Sequence, residues 1–313
     1  MNARTTIILH FTGDLEGLQA HLPELVSELK ARGAGDEIIL VDDSDANLLT
    51  LWADEHFPSM RVIRKNRREG RAKAYLLGAQ AATCEYIFML APDKRIRRGA
   101  LGPLVEAMQG PNVLAVAPRI LHGDNGAPDL PGALSIEQGR PVVLPSATSS
   151  EEPHMHAIPF ASGGACFMRR DVFLSRAGFD PIFTAPYWED VDMGLSAWRQ
   201  GMRILEVPQS IVEHHPQSDP YLLTPEPINQ AAIERGRLLL YWKHLDKRKD
   251  AAEHVQTLWR DAVDSALCER REELLWLALA LDDVDEATEA RAKLHPVQRS
   301  LADALQASDP TVI

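Results

Sequence analysis

The chain is short of cysteine, of positive charge and of long apolar runs, and each shortage removes a class of protein. Its three cysteines, Cys84, Cys166 and Cys268, are odd in number and far apart. They form neither a metal-ligand spacing nor a disulfide framework, so a reducing compartment is expected. Thirty-three Lys and Arg face forty-five Asp and Glu, a net charge of -12. Nucleic-acid partners need a basic face, so they are not expected. The start reaches only Ile7-Ile8-Leu9 before His10, too little for a secretory signal. The longest later apolar run, Leu274 to Leu281, is far below the ~20 residues that cross a bilayer. The expectation is a cytoplasmic protein, with docking at the inner face of the cytoplasmic membrane left open. Gly13 and Gly17 do not make the Gly-x-Gly-x-x-Gly spacing of a dinucleotide fold. A glycine-rich basic loop after the first strand, as a nucleotidyltransferase would want, is also missing.

What is present is charge gathered in patches. Tyr187-Trp188-Glu189-Asp190-Val191-Asp192 places three acids in four residues among aromatics. Such a cluster is a solvated turn or a site that needs negative charge. Seven cations fall between Arg61 and Lys73, and Lys94, Arg95, Arg97 and Arg98 follow. They read either as a solvated face or as a funnel for a polyanion such as a diphosphate or lipid headgroups.

Strand and helix signals alternate through the N-terminal half. Apolar, β-branched runs fall at 5–11, 37–41, 60–64, 86–90 and 113–118, with helical periods at 15–32, 48–56, 70–82 and 100–108. That alternation predicts an α/β fold, a Rossmann-like, mostly parallel sheet flanked by helices. Ligands of such sheets bind at the carboxyl ends of strands, where Asp42, Asp43 and Asp93 fall. Residues 122–160, rich in Pro, Gly and Ser, predict a long aperiodic excursion. Short helices are expected at 171–177 and 193–200, a strand at 202–207 and a long amphipathic helix at 230–245. Beyond 246 the pattern is helical alone, and the apolar side of 272–281 suits burial on the domain or a homodimer contact.

Asp93 ends an apolar strand after a proline, and one carboxylate there can hold a hard cation with phosphate oxygens. His214, after Ile211-Val212-Glu213, could complete such a site, more readily for Mn²⁺ than for Mg²⁺. Asp190 suits a general base facing an acceptor hydroxyl. These pieces occur in an order that resembles the family 2 glycosyltransferases of the GT-A fold, especially a bacterial rhamnosyltransferase-like branch. Ile38 to Ser44 looks like the family's nucleotide-binding strand end, and Asn66, Gly70, Ala74 and Gly78 like the helix start that follows. Tyr86 to Asp93 resembles the metal motif reduced to its last acid. Gly163 to Arg170, Gly178-Phe179-Asp180 and Glu189 to Asp192 are similar to the acceptor half. Pro208 to His214 resembles the closing strand, and Glu234 to Lys243 the helix after it.

The resemblance implies a GT-A domain over 1–245, with a nucleotide-sugar half (1–118) and an acceptor half (119–245), and a helical extension over 246–313. It implies inverting transfer from a UDP-, GDP- or dTDP-linked sugar to a glycan or lipid-linked acceptor, in bacterial surface polysaccharide synthesis. Phe11, Asp42, Asp43, Asn66, Gly70, Lys73 and Asp93 would bind the nucleotide sugar. Asp93 and His214 would hold Mg²⁺ or Mn²⁺. Asp190 would be the base with Glu189 beside it, and Gly163, Gly164, Trp188 and Asp192 would bind the acceptor. Ala91 stands where relatives carry Asn or Asp, which keeps a second reading alive: a catalytically silent homologue that binds nucleotide sugars or acts as a scaffold.

Overall fold

The computed structural model describes residues 3–44, 48–57, 60–65, 69–123, 126–129, 133–144, 154–162, 164–183, 188–215, 226–294 and 296–309. Strands β1 (Thr5–Phe11), β2 (Glu37–Asp42), β3 (Arg61–Arg64) and β4 (Tyr86–Leu90) alternate with helices α1 (Leu15–Arg32), α2 (Leu48–His56) and α3 (Arg71–Ala81). β1 is buried at every residue, as a central parallel strand must be. Its period of two splits it between layers. Ile7, Leu9 and Phe11 pack with Leu18, Leu22 and Leu25 of α1, while Ile8 packs with Ala74, Tyr75 and Ala79 of α3. α1 is closed by Asp14, which accepts from the Gly17 amide at 3.0 Å, and by Gly33 at φ 64°.

The chain continues through β5 (Lys94–Ile96), α4 (Leu101–Ala107), β6 (Val113–His122), β7 (Pro128–Asp129), β8 (Ala133–Glu137), β9 (Arg140–Leu144), β10 (His156–Ala157) and β11 (Ala165–Arg169). Then come α5 (Arg170–Ser175), α6 (Glu189–Arg199) and β12 (Arg203–His214). The main sheet runs β10-β12-β6-β11-β4-β1-β2-β3, with β5 on β12 and β7 on β6. β1 is parallel to β2 and β4, β2 to β3, and β6 to β12. β11 is antiparallel to both β4 and β6, so β6 and β12 point the same way as β4. The carboxyl ends of β1, β2, β4, β6 and β12 therefore share one edge. A mostly parallel sheet flanked by helices is the expected architecture.

Three expectations about elements need correction. Residues 122–160 are not aperiodic: β8 and β9 form a hairpin whose two-residue turn, Gln138-Gly139, has φ of 49° and 72°. Positive φ at both positions is the turn that matches strand twist, and Gln at the first hides it from a search for Asn-Gly. The helix expected from Met193 begins at Glu189. Its three acids occupy the first turn, where free amides and the helix dipole favour carboxylates. The strand expected over 202–207 runs on to His214 across a register shift between Val207 and Ile211.

The C-terminal helices are α7 (Glu226–His244), α8 (Arg248–Leu267), α9 (Arg271–Asp282), α10 (Val284–Ala292) and α11 (Leu301–Ser308). One core joins Trp188, at the N-cap of α6, and Val191 and Leu195 within it to Leu239 and Leu240 of α7, Ala287 of α10 and Ala304 of α11. Arg199 and the Leu301 amide both donate to Asp246, at 3.0 and 2.7 Å. The segment after 245 is thus packed on the sheet-bearing part. Among the described residues no helix is long and apolar enough to cross a membrane.

Candidate active site

The shared strand edge brings together the ends of β1, β2, β4 and β12. The Asp43 amide donates to the Phe11 carbonyl at 2.9 Å, the Ala91 amide to Gly164 at 2.9 Å and the His215 amide to Asp93 at 2.9 Å. Phe11 itself is 2% exposed and belongs to the α1-side core, so its side chain is not the nucleotide contact the sequence suggested. Gly164, at the mouth of β11, could carry a Cβ at ordinary contact distance, 3.4 Å from Ala91. Lys73 is exposed on α3. Asn66 and Gly163 lie outside the described residues.

Asp42 and Asp43 are adjacent and both 1% exposed, yet differently used. Asp43 accepts from His10 at 3.1 Å, from the Glu69 and Gly70 amides at 2.9 and 2.8 Å, and pairs with Lys65 at 2.8 Å. Burial opposes its ionisation, but these donors outweigh that and hold it well below the carboxylate range. It fastens the start of α3, where Gly70 takes φ 85°, a region glycine enters without strain. Asp43 is therefore saturated by the protein rather than presented to a nucleotide, a correction to the expected role. Asp42 accepts from the Ser44 amide and hydroxyl at 3.0 and 2.6 Å with one oxygen. Its other oxygen, Oδ2, is buried with no hydrogen-bond partner among the described residues.

At the other strand ends Asp93 Oδ2 lies 3.0 Å from His214 Nε2. Cis ligands of an octahedral Mg²⁺ or Mn²⁺ with bonds of ~2.1 Å are about 3.0 Å apart, so this pair fits such an ion. No group of three His, Cys, Asp or Glu suited to a metal occurs among the described residues. Lys94 competes for the same carboxylate, with Nζ 3.1 and 3.0 Å from its two oxygens. Burial raises the Asp93 pKa, and His214 and Lys94 more than reverse this, leaving it lowered.

The acid cluster is buried, not solvated: Glu189, Asp190 and Asp192 are 2, 5 and 3% exposed. Arg71, the first residue of α3, donates Nε and Nη2 to Glu189 at 2.9 and 2.7 Å, and Nη2 stands 3.7 Å from Asp190. Burial would lower the Arg71 pKa, but Glu189 and Asp190 drive it upward. The buried Tyr75 lies within electrostatic reach of Arg71, Asp93 and Glu189, which ties the two groups of acids into one region.

Asp192 and Trp188 depart from the acceptor role expected of them. Asp192 accepts from Lys243 at 2.7 Å and His244 at 2.8 Å, and Lys243 also reaches Asp180 at 2.8 Å. Its carboxylate fastens α6 to the end of α7. Trp188 is 7% exposed and donates its indole N–H to the Ile233 carbonyl at 2.8 Å. Gly236 makes room for it, since a Cβ there would lie 2.7 Å from the indole Cδ1. Trp188 is a core aromatic. Sequence reasoning missed the pairing of Arg71 with Glu189, because 118 positions separate them. The basic run that contains Arg71 was its only signal. Among the described residues of that run, Lys65 and Arg71 turn inward and Arg61 donates to the Ala81 carbonyl at 2.7 Å; in the second basic run Arg97 pairs with Glu213 at 2.7 Å.

Residues 8–175 match the profile of the family described as "Glycosyl transferase family 2". Polypeptide N-acetylgalactosaminyltransferase 10 of Rattus norvegicus is 28% identical over 206 residues, 61% of this chain and 33% of that protein. Putative polypeptide N-acetylgalactosaminyltransferase 13 of Drosophila melanogaster is 25% identical over 68% of this chain and 42% of its own length. Inactive polypeptide N-acetylgalactosaminyltransferase-like protein 5 of Macaca fascicularis is 28% identical over 57% of this chain and 44% of its own. The chain thus spans about a third to less than half of these relatives. In fold it is similar to GalNAc-T7, solved with UDP, GalNAc and Mn²⁺ (TM-score 0.62, 20% identity, 75% of this chain and 48% of that one). It is also similar to the mannosyltransferase PcManGT of Pyrobaculum calidifontis, solved with GDP-Man and Mn²⁺ (TM-score 0.51, 16% identity, 93% and 85%). These names are not those of bacterial rhamnosyltransferases, so the resemblance is carried forward at the level of the family and not of that branch. With the profile matched over more than half of its length and a GT-A sheet beneath it, the chain belongs to glycosyl transferase family 2.

Proposed function

We propose that the chain moves a sugar from a nucleotide-diphosphate donor to an acceptor hydroxyl, with inversion at the anomeric carbon. The observation that carries this reading is Asp93 beside His214 on the same strand edge as the buried Arg71–Glu189–Asp190 group. The Oδ2 of Asp42, without a donor among the described residues, suits an N–H of a nucleobase, since a buried acceptor gains most from a donor it otherwise lacks. Asp93 and His214 would hold a divalent cation, which when bound neutralises charge on the leaving diphosphate. The acceptor oxygen bonds to the anomeric carbon, the bond to the diphosphate breaks, and the acceptor proton passes to Asp190. Arg71 is anchored on Glu189 and not on Asp190, so the tighter ion pair falls on the acid that positions rather than the one that takes the proton.

Calorimetry of UDP, GDP and dTDP with and without Mn²⁺ tests this. One diphosphate is expected to bind in a metal-dependent way, and Asp93→Ala to weaken it at least ~10-fold. Asp190→Asn is expected to abolish transfer and spare nucleotide binding. An acceptor panel then decides among a glycan, a lipid-linked oligosaccharide of surface-polysaccharide type and a polypeptide hydroxyl. The second reading, a silent homologue, is favoured by Lys94 already occupying both oxygens of Asp93. Binding of none of the three diphosphates by folded protein would bring it forward.

A further inference from the structure

Helix α8 turns an apolar row away from the protein. Val255, Trp259, Val263 and Leu267 recur every fourth residue and are 64, 74, 41 and 80% exposed. At about 100° per residue they span some 120° of the helix surface. Exposed Arg248 and Lys249 fall within the same arc and Arg260 just beside it, 3.6 Å from Asp261; no acid falls within the arc, and Glu253 flanks it. The acids of α8 lie elsewhere. Asp261 accepts from Arg140 at 2.9 Å, and Asp250 is half-buried. Glu253 and Asp264 stand at the far rim, paired with Lys249 at 3.6 Å and Arg270 at 2.6 Å. The inward face holds buried His254 and Ser265. On the neighbouring helix α9, Leu275 and Leu279 are 46 and 37% exposed.

A Trp and three aliphatic residues with cations in the same arc form the face of a helix that lies in a membrane interface. The indole suits the headgroup level, and Arg and Lys extend their charged ends to phosphates while their stems stay on apolar surface. A second copy is the rival occupant, and charge disfavours it. Two α8 faces set together would bring cations to cations with no acid in the arc to pair them. We propose that α8 is a peripheral docking helix for a bilayer surface that carries anionic phospholipids. The proposal is independent of the transferase reading. The net charge of -12 repels such a surface at a distance, so the apolar row has to carry the attachment at contact.

The test uses the exposed thiol of Cys268, next to Leu267; Cys84 and Cys166 are buried. The intact chain is labelled there with an environment-sensitive dye and mixed with phosphatidylglycerol-containing or pure phosphatidylcholine vesicles. The expected result is co-sedimentation and a blue-shifted dye with the anionic vesicles, reduced about tenfold or more in Trp259→Glu/Leu267→Glu. Both positions are exposed, and an unchanged circular dichroism spectrum checks that the variant folds. Arg248→Glu/Arg260→Glu is expected to lose the preference for anionic lipid. Wild-type protein that stays in the supernatant with both vesicles overturns the proposal, as does a Trp259→Glu/Leu267→Glu variant that binds as well as wild type. A dimer in sedimentation equilibrium that the same variant dissociates would overturn it in favour of a second copy.

Discussion

Two neighbouring pairs of acids are divided in the same way. Asp43 has every hydrogen-bonding direction filled by His10, Lys65 and two amides, while Asp42 keeps one buried oxygen without a donor among the described residues. Asp192 is filled by Lys243 and His244, while Glu189 has both Arg71 bonds on Oε1 and leaves Oε2 buried without one among the described residues. In each pair one carboxylate is saturated by the protein and its neighbour keeps a buried oxygen without a donor among the described residues. Burial does not separate them, since all four are almost wholly covered. Saturation does, because a buried oxygen left without a donor costs stability unless a ligand supplies one.

The sharpest way to break this comparison is at Asp192. Asp192→Asn leaves Lys243 buried against one carboxylate fewer, and should cost about 3–5 kcal/mol in denaturant unfolding. A variant as stable as wild type would sink the assignment of Asp192 to the scaffold. Acid comes next. Burial holds His21 and His254 down to about 4, and lowers His10 and His244 as well. Each is neutral in the fold and takes up a proton more readily when unfolded, so its stabilisation is complete above about pH 6.5 and declines below it. Between pH 6.5 and 4, His21 and His254 should each remove up to ~3 kcal/mol. Unfolding midpoints that stay level across that window would contradict this. Asp43→Asn should cost roughly 2–3 kcal/mol with Lys65 left poorly paired, whereas Asp42→Asn should cost under about 1 kcal/mol and instead weaken nucleotide binding some tenfold or more. Equal losses of stability at the two positions would erase the distinction.

The alternation of the N-terminal half was legible because β1 and β4 are buried at every residue and α1 is stopped by Gly33. β1, α1, β2 and α2 fall within a residue of where periodicity puts them. Asp93 and His214 were legible as residue types at strand ends, and their 3.0 Å approach needed the register of β5 on β12. Asp192 misled because nothing in the local sequence announces Lys243 and His244, about fifty positions on. The start of α6 was read four residues late, at Met193, because its three acids are held by distant partners that the local sequence does not announce. Trp188 is an aromatic beside acids in the sequence, and a core residue once Gly236 is seen to admit it.

The antiparallel strand β11 has a consequence for how the chain is assembled as it is made. β6 hydrogen-bonds to β11, β12 and the short β7, and all of them follow it in the chain. When Val113–His122 leaves the ribosome, no earlier strand is available to pair with it. An apolar strand, Val113 to Pro118, must wait until Ala165–Arg169 has been synthesised and has closed onto β4. The two halves read from the sequence, 1–118 and 119–245, are therefore not separable in folding. A chain cut at 118 would carry an orphaned strand edge, the feature most prone to aggregate.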